Sequence, residues 1–369
     1  MRSSGCLALA ALAATACSPT VTVSVSTFPY AVVAADFNGD GRADVAVALN
    51  DLQYAGVFLS QGAKLLPMVA YPADLNPDCV AAVDLNGDGK IDLVTTNYGA
   101  NTVSVLLGNG DGSFQPGVNY PTGIQPAFVV AADLNGDGVP DLAITNAGAN
   151  TVSVLLGNAN GTVAAKVDYD TGSLPIGIAV GHFRSAETLD LAIANSQSNT
   201  VTVLLGNGDG TFGSRVDYPT GSVPVTVVAA DFNGDGKLDL AVSNSGSNNV
   251  GILLGNGDGS FQAQTVVATG AGPAFLAAAD LNGDGHVDLV VPLTSGNAVD
   301  VLLGNGDGTF QSPTAYTIPG GPNWVAIADI DGDGKLDLAI AVPPPGTVAV
   351  LLGNGDGTFQ AAVSYPASS

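Results

Sequence analysis

Basic residues are scarce in this 369-residue chain: nine Lys and Arg stand against 33 Asp and Glu, for a formal net charge of −24. Such a surface repels phosphate backbones and anionic membranes, so nucleic acid is not an expected partner. Histidine is limited to His182 and His286, and Glu187 is the single glutamate. No GxSxG, HExxH or P-loop string is present, nor a cysteine-nucleophile pattern, and the chain is read as a non-enzyme. The three cysteines, Cys6, Cys17 and Cys79, offer no disulfide framework of the kind small secreted domains use. No hydrophobic run reaches the length of a membrane helix. Aromatics make up only 6% of residues, yet 46% are hydrophobic. A chain of this kind can build a large core and is not expected to be disordered.

What is present at the N-terminus reads as an export signal over residues 1–17. Arg2 is its lone positive charge, Cys6 to Ala16 is a short apolar stretch, and Ala14-Thr15-Ala16 is a small-x-small cleavage pattern. Cys17 follows at once, as in a bacterial lipoprotein signal, although Ala14 stands where Leu is usual. Lipidation of Cys17 is expected, with simple secretion as the alternative. The mature chain is therefore placed outside the cell or on its surface. Any membrane contact would run through that lipid, and the chain is expected to be a monomer.

The remainder is one unit written seven times. A string close to DLNGDG begins at Asp36, Asp84, Asp133, Asp231, Asp280 and Asp329, with a degenerate copy at His182; the steps are 48 residues once and 49 five times. Such a period suits propeller blades. A second string, LLGNGDGTF or close to it, begins at Leu106, Leu155, Leu204, Leu253, Leu302 and Leu351, and the first unit keeps only a remnant at Phe58 to Leu65. A proline lies seven residues before each first position, from Pro29 to Pro322.

Each unit parses into four strands, with no sustained helical period. In the third unit these are Phe128 to Ala132, Asp141 to Thr145, Thr151 to Leu156 and Val163 to Tyr169. Asn-Gly and Asp-Gly pairs supply the turns. Alanine-rich strings such as VVAAD and VAIAD suit inner strands that converge on an axis. The fold class is therefore all-β, a seven-bladed β-propeller of four-stranded antiparallel blades over residues 20–366, with a β-helix as runner-up. Val21 to Ser26 and Ala361 to Tyr365 both read as outer strands, one of which is expected to close the ring in the blade of the other end.

The first string has the form DxNxDGxxD. Carboxylates and amides at alternate positions can converge on one hard cation, Gly at the sixth position permits the turn, and the seventh residue can offer its carbonyl. All donors are oxygen, which favours Ca²⁺ over softer metals. The candidate ligands are Asp36, Asn38, Asp40, Arg42 and Asp44; Asp84, Asn86, Asp88, Lys90 and Asp92; Asp133, Asn135, Asp137, Val139 and Asp141; Asp231, Asn233, Asp235, Lys237 and Asp239; Asp280, Asn282, Asp284, His286 and Asp288; and Asp329, Asp331, Asp333, Lys335 and Asp337. About six Ca²⁺ sites are expected, against the alternative that these are metal-free turns. Position twelve carries no acid, so these are not EF-hands. The fourth unit has His182, Arg184, Ala186 and Glu187 in place of three ligands and the Gly, and keeps only Asp190. No metal is expected there. Either Arg184 supplies the cation or the repeat has simply drifted. Asp111, Asp209, Asp258, Asp307 and Asp356 of the second string share a face with these loops, but hairpin turns explain them without metal.

These residues resemble FG-GAP or VCBS repeats, including the propeller of integrin α chains. The resemblance implies seven blades, Ca²⁺ between the first and second strands, and, in adhesive members, a ligand surface on the opposite face. On that face the repeats cease to be uniform: Tyr30, Cys79, Phe128, Phe275 and Trp324 precede the first strands, and Tyr54 and Tyr98 sit in later turns. Trp324 with Asn323, Phe128, Phe275 and Tyr98 are candidate contacts for a glycan or protein ligand. The alternative is that the aromatics plug the blade tops. Three functions are compatible with this reading: a binding or adhesion module, a calcium-stabilised surface domain without a ligand, and a polysaccharide-cleaving propeller.

Overall fold

The computed structural model describes residues 28–184 and 187–367. The export signal with Cys17, the strand expected at Val21 to Ser26, and Ala186 lie outside the described residues. Seven sheets of four antiparallel strands are each ordered in sequence from inner to outer, and no helix occurs among the described residues. The inner strands of successive blades touch, and that of blade 7 touches that of blade 1, so the ring is closed.

The second strand of every blade is six residues long and buried throughout, from Asp44–Leu49 to Asp337–Val342. Both of its faces pack on neighbouring blades, which is why it reads as a continuous apolar run rather than an alternating one. Inner strands such as Pro126–Ala132 end in half-buried small residues that line the axis. Outer strands are four residues long and largely exposed. Short edges of this kind give little template for pairing with another chain.

In blade 3 the outer strand is Val167–Asp170, not Val163 to Tyr169. Val163 instead turns inward and pairs only with Gly157 in an isolated bridge. This position is usually Phe, and its ring wedges against the preceding blade: Phe114 meets Phe37 and Tyr71 edge to face at 5.6 and 5.2 Å, and Phe261 meets Phe183 and Tyr218 likewise. The TF that ends the second motif is thus an interblade contact. Its glycine is equally constrained, because a Cβ on Gly108 would stand 2.2 Å from the Ile91 carbonyl oxygen.

Of the two segments expected to close the ring, only the C-terminal one lies among the described residues, and it is not exchanged. The C-terminal strand, Val363–Pro366, pairs with Thr347–Leu351 of its own blade. Blade 7 meets blade 1 through Ala43 N–H to the Asp329 carbonyl at 3.0 Å, Asn323 Nδ2 to the Tyr30 carbonyl at 3.1 Å, and the Tyr365 hydroxyl to the Ala63 carbonyl at 3.4 Å.

Blade 6 is irregular because of Pro292, which lies inside its second strand and has no N–H. In blades 3 and 5 the equivalent hydroxyls of Thr145 and Ser243 accept the N–H of Phe128 and Thr226. Phe275 has no such acceptor, and its N–H goes instead to the carbonyl of Asn323 in blade 7 at 3.0 Å. The inner strand there shrinks to Ala277–Ala279.

Candidate functional site

The 1–2 loops share a local architecture. In blade 2, Asp84 accepts the N–H groups of Gly87 and Gly89 at 2.8 Å each, Asn86 accepts that of Asp88 at 2.9 Å, and Asp88 accepts that of Lys90 at 3.0 Å. The loop therefore curls around its own carboxylates. The sixth residue needs a positive φ, 80° at Gly89, which glycine adopts without strain. The same bonds recur around Asp36, Asp133, Asp231, Asp280 and Asp329.

The ninth residue behaves differently. Asp92 is fully buried; its Oδ2 accepts Leu85 N–H at 3.0 Å and its Oδ1 accepts Gly108 N–H at 2.7 Å. It ties the 1–2 loop to the end of the third strand. Asp44, Asp141, Asp239, Asp288 and Asp337 do the same. Burial pushes these carboxyls up, and in Asp92, Asp141, Asp239 and Asp288 the charges at positions one and five add to the rise. A carboxylate oxygen that accepts one N–H keeps a second lone pair, so the clamp and a ligand role are compatible.

The donor set of each loop is oxygen throughout, which suits a hard cation. Asp329, Asp331 and Asp333 bring one carboxylate oxygen each within 4.8 Å of one another, the one such acidic group among the described residues. The other five loops carry Asn at the third position. At the seventh position, Arg42, Lys90, Lys237 and Lys335 send their side chains back to the fifth-position Asp at 2.9–3.7 Å; Val139 and His286 donate backbone N–H groups to Asp137 and Asp284.

Blade 4 keeps the clamp without the loop carboxylates. Asp190 accepts Phe183 N–H at 3.1 Å and Gly206 N–H at 2.8 Å. Beside it lies Arg184, Nε 3.5 Å from Asp190 Oδ1, with Nη2 bonded to the Gly206 carbonyl. Of the two readings of this blade, the structure shows the guanidinium at the ninth carboxylate.

The second-motif aspartates are satisfied inside their own turns. Asp209 accepts the N–H and hydroxyl of Thr211, and this hydroxyl bond is the main cause of its lowered pKa. In blade 3, Asn160 makes the same two bonds to Thr162, so the turn needs no charge. These turns lie on the face of the acidic loops: Gly112 N–H of blade 2 bonds the Phe37 carbonyl of the blade 1 loop.

On the opposite face the three candidate ring contacts Trp324, Phe275 and Phe128 are not exposed. Trp324 and Phe275 are buried and Phe128 half-buried. They meet over the axis, Phe275 and Trp324 at 4.0 Å between ring centroids and Phe128 and Trp324 at 4.9 Å, all nearly parallel. The reason is apolar area: rings at the narrow end of seven converging strands bury one another rather than face water. Cys79 is buried too, which pushes its thiol up.

One register earlier, six residues before each first loop position, stand Tyr30, Asp78, Ala127, Ile176, Val225, Ala274 and Asn323. The three polar residues fall on contiguous blades 7, 1 and 2. Asn323 Nδ2 bonds the Tyr30 carbonyl, and Asn50 Nδ2 donates to Asp78 Oδ1 at 2.9 Å. Burial pushes Asp78 up to about 7, and burial followed by the Asp78 charge pushes the Tyr30 phenol up to about 12, with Tyr98 adding to the rise. Tyr30, Asp78, Tyr98 and Asn50 all remain partly accessible. Asp78 was not singled out from the sequence; aligning the seven units by register is the signal that finds it.

A seven-bladed propeller with an acidic loop between the first and second strands of six blades defines a class of repeat protein. The chain belongs to the FG-GAP-like repeat family, matched over residues 84–144, 187–242, 231–291, 293–340 and 329–369; the FG-GAP repeat also matches residues 28–56 and 126–165. No curated protein matches the sequence significantly. Solved structures of similar fold include an Agrocybe aegerita lectin that recognises non-reducing terminal N-acetylglucosamine (22% identity, 92% of this chain and 90% of that one, TM-score 0.59). The periplasmic gluconolactonase of Pseudomonas aeruginosa is similar at 18% identity over 85% and 89% (TM-score 0.57). Virginiamycin B lyase from Staphylococcus aureus is similar at 16% over 78% and 88% (TM-score 0.52). At these identities the likeness is one of fold alone.

Proposed function

We propose that this protein is an extracellular, calcium-braced binding module for a glycan or protein, and not an enzyme. The observation that carries the reading is the run of polar residues on contiguous blades, the partly accessible Tyr30, Asp78 and Tyr98 with the buried Asn323 bonded to the Tyr30 carbonyl, on the face where the repeat stops being uniform. Amide, phenol and carboxyl groups beside aromatic rings can match the alternating hydroxyls and apolar faces of a sugar, or the polar groups of a peptide. The lectin of similar fold is consistent with a glycan.

The brace would be six Ca²⁺ ions, one in each intact loop, held by the Asp and Asn side chains named above. The ions would neutralise clusters that otherwise repel themselves, and would take the formal charge of −24 to about −12. The Arg184–Asp190 pair supports this, since a positive group stands at the ninth carboxylate in the one blade without loop ligands.

A glycan array probed with the wild type, Tyr98→Ala and Asp78→Ala tests the reading. A signal on defined glycans that both variants lose supports it. Silence on glycans and on extracellular protein panels would leave a structural domain without a ligand, and release of oligosaccharides from polysaccharide would make it an enzyme.

A further inference from the structure

Five residues before each first loop position, the inner strands carry Ala31, Cys79, Phe128, Gly177, Thr226, Phe275 and Trp324. Blades 3, 6 and 7 supply the three stacked rings that cap the axis. Blades 4 and 5 supply none. Gly177 cannot: a Cβ there would stand 2.7 Å from Thr226 Cα and from the Val225 carbonyl oxygen, so the two inner strands pass too closely for a side chain. On that side an open pocket of about 220 Å³ remains, lined by Phe128, Phe275 and Trp324 together with Ile178, Thr226 and Leu276. Thr226 donates its hydroxyl to the Ala274 carbonyl at 3.4 Å, and the lining is mainly apolar. An enclosed apolar cavity of roughly 150 Å³ holds one benzene ring, so the volume here is enough for a single ring.

We propose that this axial cavity binds a small aromatic molecule, a single substituted ring, which completes the stack of Trp324, Phe275 and Phe128 from the side of blades 4 and 5. All three rings line the pocket, and an incoming ring would gain both stacking and burial of apolar area against them. The way in is the axial channel, whose walls toward the acidic-loop face are the half-buried ends of the inner strands. The pocket is distinct from the polar residues Tyr30, Asp78 and Asn323 of blades 7, 1 and 2, and the inference does not depend on a glycan being bound there.

Trp324 is the only tryptophan, so its emission reports on this cavity directly. The test is a titration of the full protein with p-xylene, followed by Trp324 emission and by calorimetry. Saturable binding of one molecule per chain is expected. Ala229→Leu and Ala179→Leu each place three more carbons in the cavity and should weaken binding at least about tenfold, a change of about 1.4 kcal/mol. Leu276→Ala enlarges the cavity and should admit naphthalene, a reading that does not rely on the filled variants folding. No saturable binding, or equal affinity in a folded filled variant, overturns the proposal.

Discussion

Arg184 and Asp190 form an ion pair, Nε to Oδ1 at 3.5 Å, at the bottom of a loop that has lost the other ligand-position aspartates. Asp190 is fully buried, and the guanidinium is about a third exposed. Removing the positive partner leaves a buried carboxylate with only its two backbone N–H donors to offset its charge. Arg184→Met should therefore cost about 1–3 kcal/mol, the pair being partly screened by water. Thermal melts with and without calcium check it: the loss should be the same in both, because this blade is not expected to hold an ion.

Chelation should act on the other six blades. If the intact loops bind calcium, stability rises with ion concentration as a linkage effect, by about 2.7 kcal/mol per site at a hundredfold excess over Kd. Melting after chelation and after restoring Ca²⁺, with bound-metal stoichiometry, gives the result. About six ions per chain and a concentration-dependent rise in Tm are expected; no bound metal and no shift would make these loops turns only.

Asp78 gives a pH dependence whose sign follows from its raised pKa. A carboxyl held at about 7 in the folded chain and near 3.8 in the unfolded one binds a proton more readily when folded. It contributes stability below pH 4, and that contribution is lost as pH rises through 7. At about 1.4 kcal/mol per pH unit the full span is at most about 4 kcal/mol, and partial access to water reduces it. Asp78→Asn keeps an acceptor for Asn50 and should be more stable than wild type at pH 8, with the two curves converging near pH 4. Parallel curves across this range would count against the assignment.

Pro292 makes a prediction about the plug. Thr at this position restores the hydroxyl that in blade 3 accepts the inner-strand N–H. In Pro292→Thr, Phe275 should return to its own blade and leave Trp324 less covered, read as a red shift of Trp324 emission. An unchanged spectrum would mean that ring stacking, not the missing bond, holds Phe275.

The period and the alternation of loops and strands made the fold legible, because each blade repeats the same compromise between a buried second strand and a small-residue inner strand. The acidic loops were legible for the same reason. The dual use of the ninth aspartate was not, since a residue that could be a ligand and one that clamps two turns look alike in sequence; only Asp190, kept where the loop is lost, separates the roles. The aromatics left two readings open, ligand contacts or plugs of the blade tops, and the convergence of seven strands turns Trp324 and Phe275 onto one another as plugs. Asp78 was hidden by its unremarkable neighbours and emerges only when its register is compared around the ring.

Among the described residues each blade owns all four of its strands, and the C-terminal strand pairs within its own blade. The gene for such a ring can be cut and copied in whole units: an in-frame duplication or loss of one 49-residue segment adds or removes a complete blade and strands no half-sheet. Lineages built on this plan are free to change blade number by recombination between near-identical repeats, a route barred to rings latched by an exchanged strand.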